Sequence, residues 1–217
     1  MKNKVFAKGL SFPKIFIFFL LFAFIGTLYE EVLTFFQYGA FSNRQALIYG
    51  PFNPIYGLGA ALIILFLAKK GKKRSFIKTF LYVCLISGIT EYLFSFIFDF
   101  FFGIKFWDYS NDFLNINGRV TLIYILGWGI LGTVLVKWIY PFLSKWIEKI
   151  PYYLGQTLYI IFLSLIIVDM FLTYTAFGRM ALRHQGKDPM TPIGVLYDKV
   201  YSDDYLYKKF PAIKLYR

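Results

Sequence analysis

Five stretches of the chain run nearly without charge: about Ile15 to Tyr38, Ile55 to Ala68, Phe76 to Phe102, Val120 to Tyr140 and Tyr152 to Phe177. Four of them meet the roughly 20 residues that carry a helix across a bilayer. The second is short and reaches that length only if the preceding YGPFNP is counted with it. No window alternates strictly as an outer-membrane strand does, so the spans are expected to be helical. The predicted fold class is all-α, a polytopic membrane helical bundle of about five transmembrane helices, the second broken or short at its N-terminal end. Residues 1–177 are expected to form the transmembrane helical domain. Residues 178–217 read as a basic, Tyr-rich C-terminal tail packed at the membrane surface. The first run is too long for a signal-peptide core and no small-x-small site follows it, which predicts an uncleaved anchor.

Composition points the same way. Of 217 residues, 58% are hydrophobic and 23% aromatic, and the mean hydropathy is +0.56. A soluble domain of this length cannot hide so much apolar surface. The formal charge of +12 would suit a nucleic-acid partner in a polar chain. Here the basic residues flank the spans, where they meet anionic headgroups, so the implied partners are membrane lipids and not nucleic acid. Lys2, Lys4, Lys8 and Lys14 precede the first span, and Lys69, Lys70, Lys72, Lys73, Arg74 and Lys78 follow the second. Lys137, Lys145 and Lys149 lie between the fourth and fifth. The positive-inside rule places these in the cytoplasm, with the N-terminus, and sends the C-terminus outside. The tail departs from that rule, carrying eight Lys or Arg against four Asp from residue 178 onward.

Charges inside the spans carry the functional information, because each costs about 2.5 to 3.5 kcal/mol at a helix centre on insertion scales. Glu30 and Glu31 lie two thirds of the way along the first span, Glu91 near the middle of the third, and Asp99 two turns later. Asp169 sits in the outer half of the fifth span, and Arg119 opens the fourth. The outer connections add Asn43 and Arg44, then Trp107, Asp108, Tyr109 and Asn117 from WDYSNDFLNINGR, and finally Arg179 and Arg183. Carboxylates and arginines so grouped predict an outward-facing polar cavity, ringed by aromatic residues, that binds a small or lipid-linked substrate. The plainer alternative is structural pairing, of Glu91 with Arg119 for example, and Asp99 near the interface suits that role best.

YGPFNPIYGLGA can be read within the same picture. Pro54 suits the first turn of a helix and Asn53 can cap it, so a short helix from about Pro54 to Lys69 would begin below the outer surface. Non-helical backbone at that depth is tolerated where it lines a cavity or is buried in protein, and Tyr56 would then face the site. Other chemistries lack their signatures. There is no P-loop sequence and no Gly-x-Ser-x-Gly, and one His with one Cys gives no zinc or haem set. No metal and no cofactor are predicted. Cys84 cannot form an intrachain disulfide.

Glu30-Glu31, YGPFNPIYGLGA, Glu91, WDYS and LNINGRV, in that order, resemble the putative ABC-transporter type IV family of bacterial membrane proteins. The resemblance continues into the tail through Arg179, Arg183 and FPAIK, where Ala212 stands in place of the Asn that the family pattern carries. It implies a multi-pass permease of the bacterial inner membrane, partnered by a separate ATPase subunit. The cytoplasmic pieces KKGKKRS and FLSKWIEKIP are not obvious coupling helices, although the second suits the membrane surface. Three readings follow. The chain is a transport component with an outer substrate cavity. Or it is a membrane-embedded enzyme on a lipid headgroup or cell-envelope precursor, with Glu30, Glu31 or Asp108 as general base. Or it is a structural membrane partner or assembly factor.

Overall fold

The computed structural model describes residues 5–68 and 74–216. Lys2, Lys4, Lys69, Lys70, Lys72 and Lys73, which carry much of the charge bias, lie outside the described residues. The long apolar runs start and stop where local chemistry says they should. Helix α1 (Phe12–Tyr38) opens with Pro13 in its first turn and ends at Gly39, whose φ of 71° suits a residue without Cβ. Helix α3 (Phe76–Phe102) is capped by Ser75, which accepts from the Lys78 N–H, and ends at Gly103 in the same left-handed conformation. Helix α6 (Tyr152–His184) has 33 residues. At 1.5 Å per residue it is roughly 50 Å long, well beyond a hydrocarbon core of about 30 Å, so one end overhangs.

The fourth span continues further than its apolar run suggests. Helix α4 (Leu122–Val134), a π turn (Leu135–Ile139) and helix α5 (Tyr140–Ile147) form one helical stretch long and apolar enough to cross a membrane. Pro141 would leave the carbonyl four residues back without a donor and crowd it, and the wider π turn absorbs that fault. FLSKWIEKIP therefore begins as the end of the fourth span instead of a separate surface piece. Lys14 also departs from the headgroup role expected of it. It is fully buried, donates to Ser144 Oγ at 2.6 Å and pairs with Glu148, which ties the start of α1 to the end of α5.

Helix α2 (Pro54–Leu67) is the short one, at 14 residues or about 21 Å. Its cap is the expected one, with Asn53 Oδ1 accepting from Ile55 N. The Asn53 N–H donates to the Ala23 carbonyl at 3.0 Å. Ala23 lies fifteen residues before the end of α1, so the connection descends about 22 Å into the bundle before α2 begins. Side chains of α6 satisfy that sunken backbone. Thr173 Oγ1 accepts from Ile48 N at 3.0 Å, and Asp169 Oδ1 accepts from Tyr49 N at 3.1 Å.

Residues 185–216 fold against the end of α6. Helices α7 (Pro192–Val200) and α8 (Asp203–Lys209) are capped by Thr191 and Ser202. Strand β4 (Lys214–Leu215) then pairs antiparallel with β1 (Ile104–Lys105) just after α3. A second small ladder joins β2 (Asn115–Ile116) to β3 (Val120–Thr121). Between them Asn117 and Gly118 both have positive φ, and Arg119 N returns to Ile116 O at 3.0 Å, a type I′ turn. Among the described residues three apolar clusters result. One packs Phe18, Ile64, Val83 and Leu135 towards the α1 start, another packs Phe98, Phe177, Leu206 and Phe210 towards the tail, and a small third joins Phe16, Leu47 and Ile166. Large apolar side chains such as Leu81, Ile123, Leu165 and Phe171 face outward from the long helices. Four helices long and apolar enough to cross, with such an exterior, make this a helical membrane protein.

Candidate functional site

Helices α1 to α4 enclose a cavity of about 840 Å³, within the roughly 300–1,000 Å³ of ligand pockets. Helix α1 packs chiefly on α2, and α4 chiefly on α3, so α1 and α4 face each other across it. The tail covers one end with residues 210–214. The other end runs down between α2 and α4 to Ile63, Leu135 and Ile139, and is apolar.

Close packing sets the polar side chains of the upper half. A Cβ on Gly26 would overlap the Tyr56 ring, so the glycine admits Tyr56 against α1. There its hydroxyl donates to Glu30 Oε1. Tyr109 is held by its backbone N–H, which donates to Gly118 O at 2.8 Å, and its hydroxyl donates to Glu91 Oε1 at 3.3 Å. Each of the two carboxylates thus meets a tyrosine hydroxyl. Burial first, and then the Glu91 charge, push the Tyr109 phenol up, so it remains a neutral donor. Glu91 is 6% exposed, and its Oε2 has no hydrogen-bond partner. Aromatic rings close the walls. Trp128 contacts Tyr29 and Tyr56 with centroids 6.0 and 5.6 Å away, and Tyr109 stacks on Tyr124 at 4.9 Å.

Of the residues singled out in the sequence, Glu30, Asn43, Arg44, Asn53, Tyr56, Glu91, Trp107, Asp108 and Tyr109 line this cavity. Arg44 Nε donates to Thr34 Oγ1 at 2.9 Å, on the Glu30 side. Glu31, one residue on and about 100° around α1, is not among the lining residues. Arg119 also lies elsewhere. It pairs with Asp99 at 2.6 Å and Ser95 at 3.2 Å, not with Glu91. Asn117 donates to Tyr92 Oη at 2.9 Å, away from the cavity. Asp169 serves the sunken loop. Arg179 and Arg183 bind Asp198 and Asp203, which fastens the tail helices to α6.

Asp108 sits on the cavity rim, exposed. Its Oδ1 accepts from Ser110 Oγ and Ser110 N, at 2.5 and 3.0 Å, and a Cβ on Gly118 would collide with it. The serine hydroxyl bond above all holds the Asp108 carboxyl below the usual carboxylate range, which makes it a weak base. It is a hairpin anchor. Of the three residues expected as general-base candidates, Glu30 lines the cavity, Glu31 does not, and Asp108 is engaged in the hairpin. Sequence reasoning missed Ser87 and Thr90, which line the cavity from α3, and Trp128. Ser87, Thr90, Glu91 and Ser95 recur at helical spacing, and that polar stripe was the available signal. Among the described residues no group of three His, Cys, Asp or Glu comes together as a metal site.

A family model described as Putative ABC-transporter type IV matches residues 17–174, from α1 to the middle of α6. No curated protein and no solved structure matches the chain.

Proposed function

We propose, from the premise that the chain belongs to the putative ABC-transporter type IV family, that it is the permease-like component of a transport system and binds its substrate in the cavity. The observation that carries this is the sunken start of α2. A loop lowered about 22 Å into the bundle brings the start of α2, with Asn53 and Tyr56, to mid-depth beside Glu30. Transporters build sites from discontinuous helices of this kind. The site draws on α1, α2, α3, α4 and the two connecting loops, so a relative movement of these elements reshapes it. In this reading the face with Lys8, Arg74, Lys145 and Lys149 is cytoplasmic, and the polar half of the cavity lies towards the outer leaflet. A separate ATPase subunit engages the cytoplasmic face.

Gly59 offers a direct test. It lines the cavity, and a Cβ there meets nothing within 4 Å. Gly59→Trp should fill the cavity without disturbing helix packing. The full chain is purified from its own host's membrane with bound partners, and a deletion strain is complemented. An ATPase is expected to copurify with both wild type and Gly59→Trp, while complementation is lost in the variant. Full complementation by stable Gly59→Trp would overturn the cavity as a substrate site.

A further inference from the structure

We propose that the ligand of this cavity is an organic cation, an ammonium group seated against Glu91 and enclosed by aromatic faces. The inference rests on the cavity being a substrate site. Glu91 carries it. The carboxyl is 6% exposed and lines the cavity; Oε1 has the Tyr109 hydroxyl, the Trp128 side chain reaches the carboxyl, and Oε2 has no partner at hydrogen-bond geometry among the described residues. Leaving a buried carboxylate oxygen unsatisfied is costly, and such groups persist where a ligand completes them. Glu30 adds a second carboxyl within electrostatic reach, also met by a tyrosine hydroxyl.

Neither acid has a cationic partner in contact. The described ion pairs involve Glu148, Asp99, Asp198 and Asp203, and none includes Glu30 or Glu91. Arg44 acts on Glu30 from the Thr34 side and does not pair with Glu91. Lys214 also lines the cavity, but no described ion pair joins it or Arg44 to Glu91, so the position beside Glu91 is short of positive charge. Tyr29, Tyr56, Trp128, Tyr109 and Tyr124 supply ring faces, and a cation within about 6 Å of such a ring is attracted by its quadrupole. Aromatic faces with an acid at the base suit a bulky, weakly hydrated ammonium better than a small hydrated metal ion, which wants several oxygen ligands. The lower, apolar half of the cavity can take an attached hydrocarbon chain.

The full chain in lipid nanodiscs is titrated with tetraethylammonium chloride, read by calorimetry and by tryptophan fluorescence, since Trp107 and Trp128 both line the cavity. Saturable binding is expected, absent in Gly59→Trp and with ethanesulfonate as its sodium salt. Glu91→Gln should weaken binding at least tenfold, with Glu91→Asp recovering part of it. If Glu91→Gln melts below wild type, Trp128→Leu takes its place, with the same tenfold weakening expected. No saturable binding, equal affinity in a well-folded Glu91→Gln, or preference for ethanesulfonate overturns the proposal. Each of those results leaves the cavity reading to stand or fall on Gly59→Trp complementation. Displacement by dodecyltrimethylammonium at lower concentration than by choline supports a cationic headgroup on a chain, and equal displacement supports a free small cation.

Discussion

At the far end of α6, Arg179 and Arg183 are met by Asp198 and Asp203. In the cavity, Glu30 and Glu91 are met by tyrosine hydroxyls and, among the described residues, by no cation in contact. Both groups are buried or half-buried, and both lie on or beside the long helices. The α6 corner neutralises its charges within the chain, as a structural ion cluster does. The cavity, although Arg44 and Lys214 also line it, leaves Glu30 and Glu91 without an ion pair among the described residues, which is the arrangement expected where something from outside completes the set. Charge in a span is thus a poor guide to function until its partner is known.

The largest effect expected from breaking this contrast is at the corner. Arg179→Ala leaves Asp198 with Arg183 alone and should cost about 3 kcal/mol, at the low end for a broken buried pair because Arg183 still holds one oxygen and Asp198 is partly exposed. Thermal unfolding of the purified protein measures this, and protease sensitivity of the tail shows where it acts. Acid should act on the same corner. The Arg179 and then the Arg183 hydrogen bonds hold the Asp198 carboxyl below its ordinary range. Its stabilisation is present above the unfolded carboxyl's pKa and is lost as pH falls through the lowered one, so tail release is expected below about pH 4.

A smaller loss is expected at Asp169, which belongs to neither group. Asp169→Leu removes the acceptor for Tyr49 N and should cost about 2 kcal/mol, the worth of a charge-assisted bond to buried backbone. Hydrogen exchange at the Tyr49 amide should rise more than elsewhere. The smallest effect sharpens the comparison most. Glu91→Gln should leave the melting temperature within about 2 °C of wild type, because no cation is stranded by it. A loss as large as that of Arg179→Ala would mean that Glu91 is a structural charge after all.

The mouth of α2 was legible because capping is local chemistry, and Asn53-Pro54 announces its own position. The partner of Arg119 was legible in principle. Asp99 lies near the end of α3 beside which Arg119 opens span four, whereas Glu91 is two turns deeper, about 12 Å away along the axis. Glu30 and Glu31 show a different limit. Neighbours about 100° apart need not share a cavity, although Thr90 and Glu91 do, and the sequence does not say which of the two acids turns inward. Asp169 was visible as a costly charge, yet its acceptor role depends on a loop entering from α1's side. The tail partners of Arg179 and Arg183 depend on how α7 and α8 fold back, which no local pattern encodes.

The hydrogen bonds that hold the sunken loop also impose a timetable. Ile48 and Tyr49 find their acceptors 125 and 120 residues further along the chain. A ribosome adding about 5 to 20 residues per second delivers those acceptors on the order of ten seconds later. During that interval the loop has left α1 but has no side chain of α6 to receive its amides, and α2 is too short to hold the bilayer alone. The mouth of the cavity is therefore finished last, after the final span arrives, and truncating the chain before Asp169 should leave the first four helices inserted around an unfinished entrance.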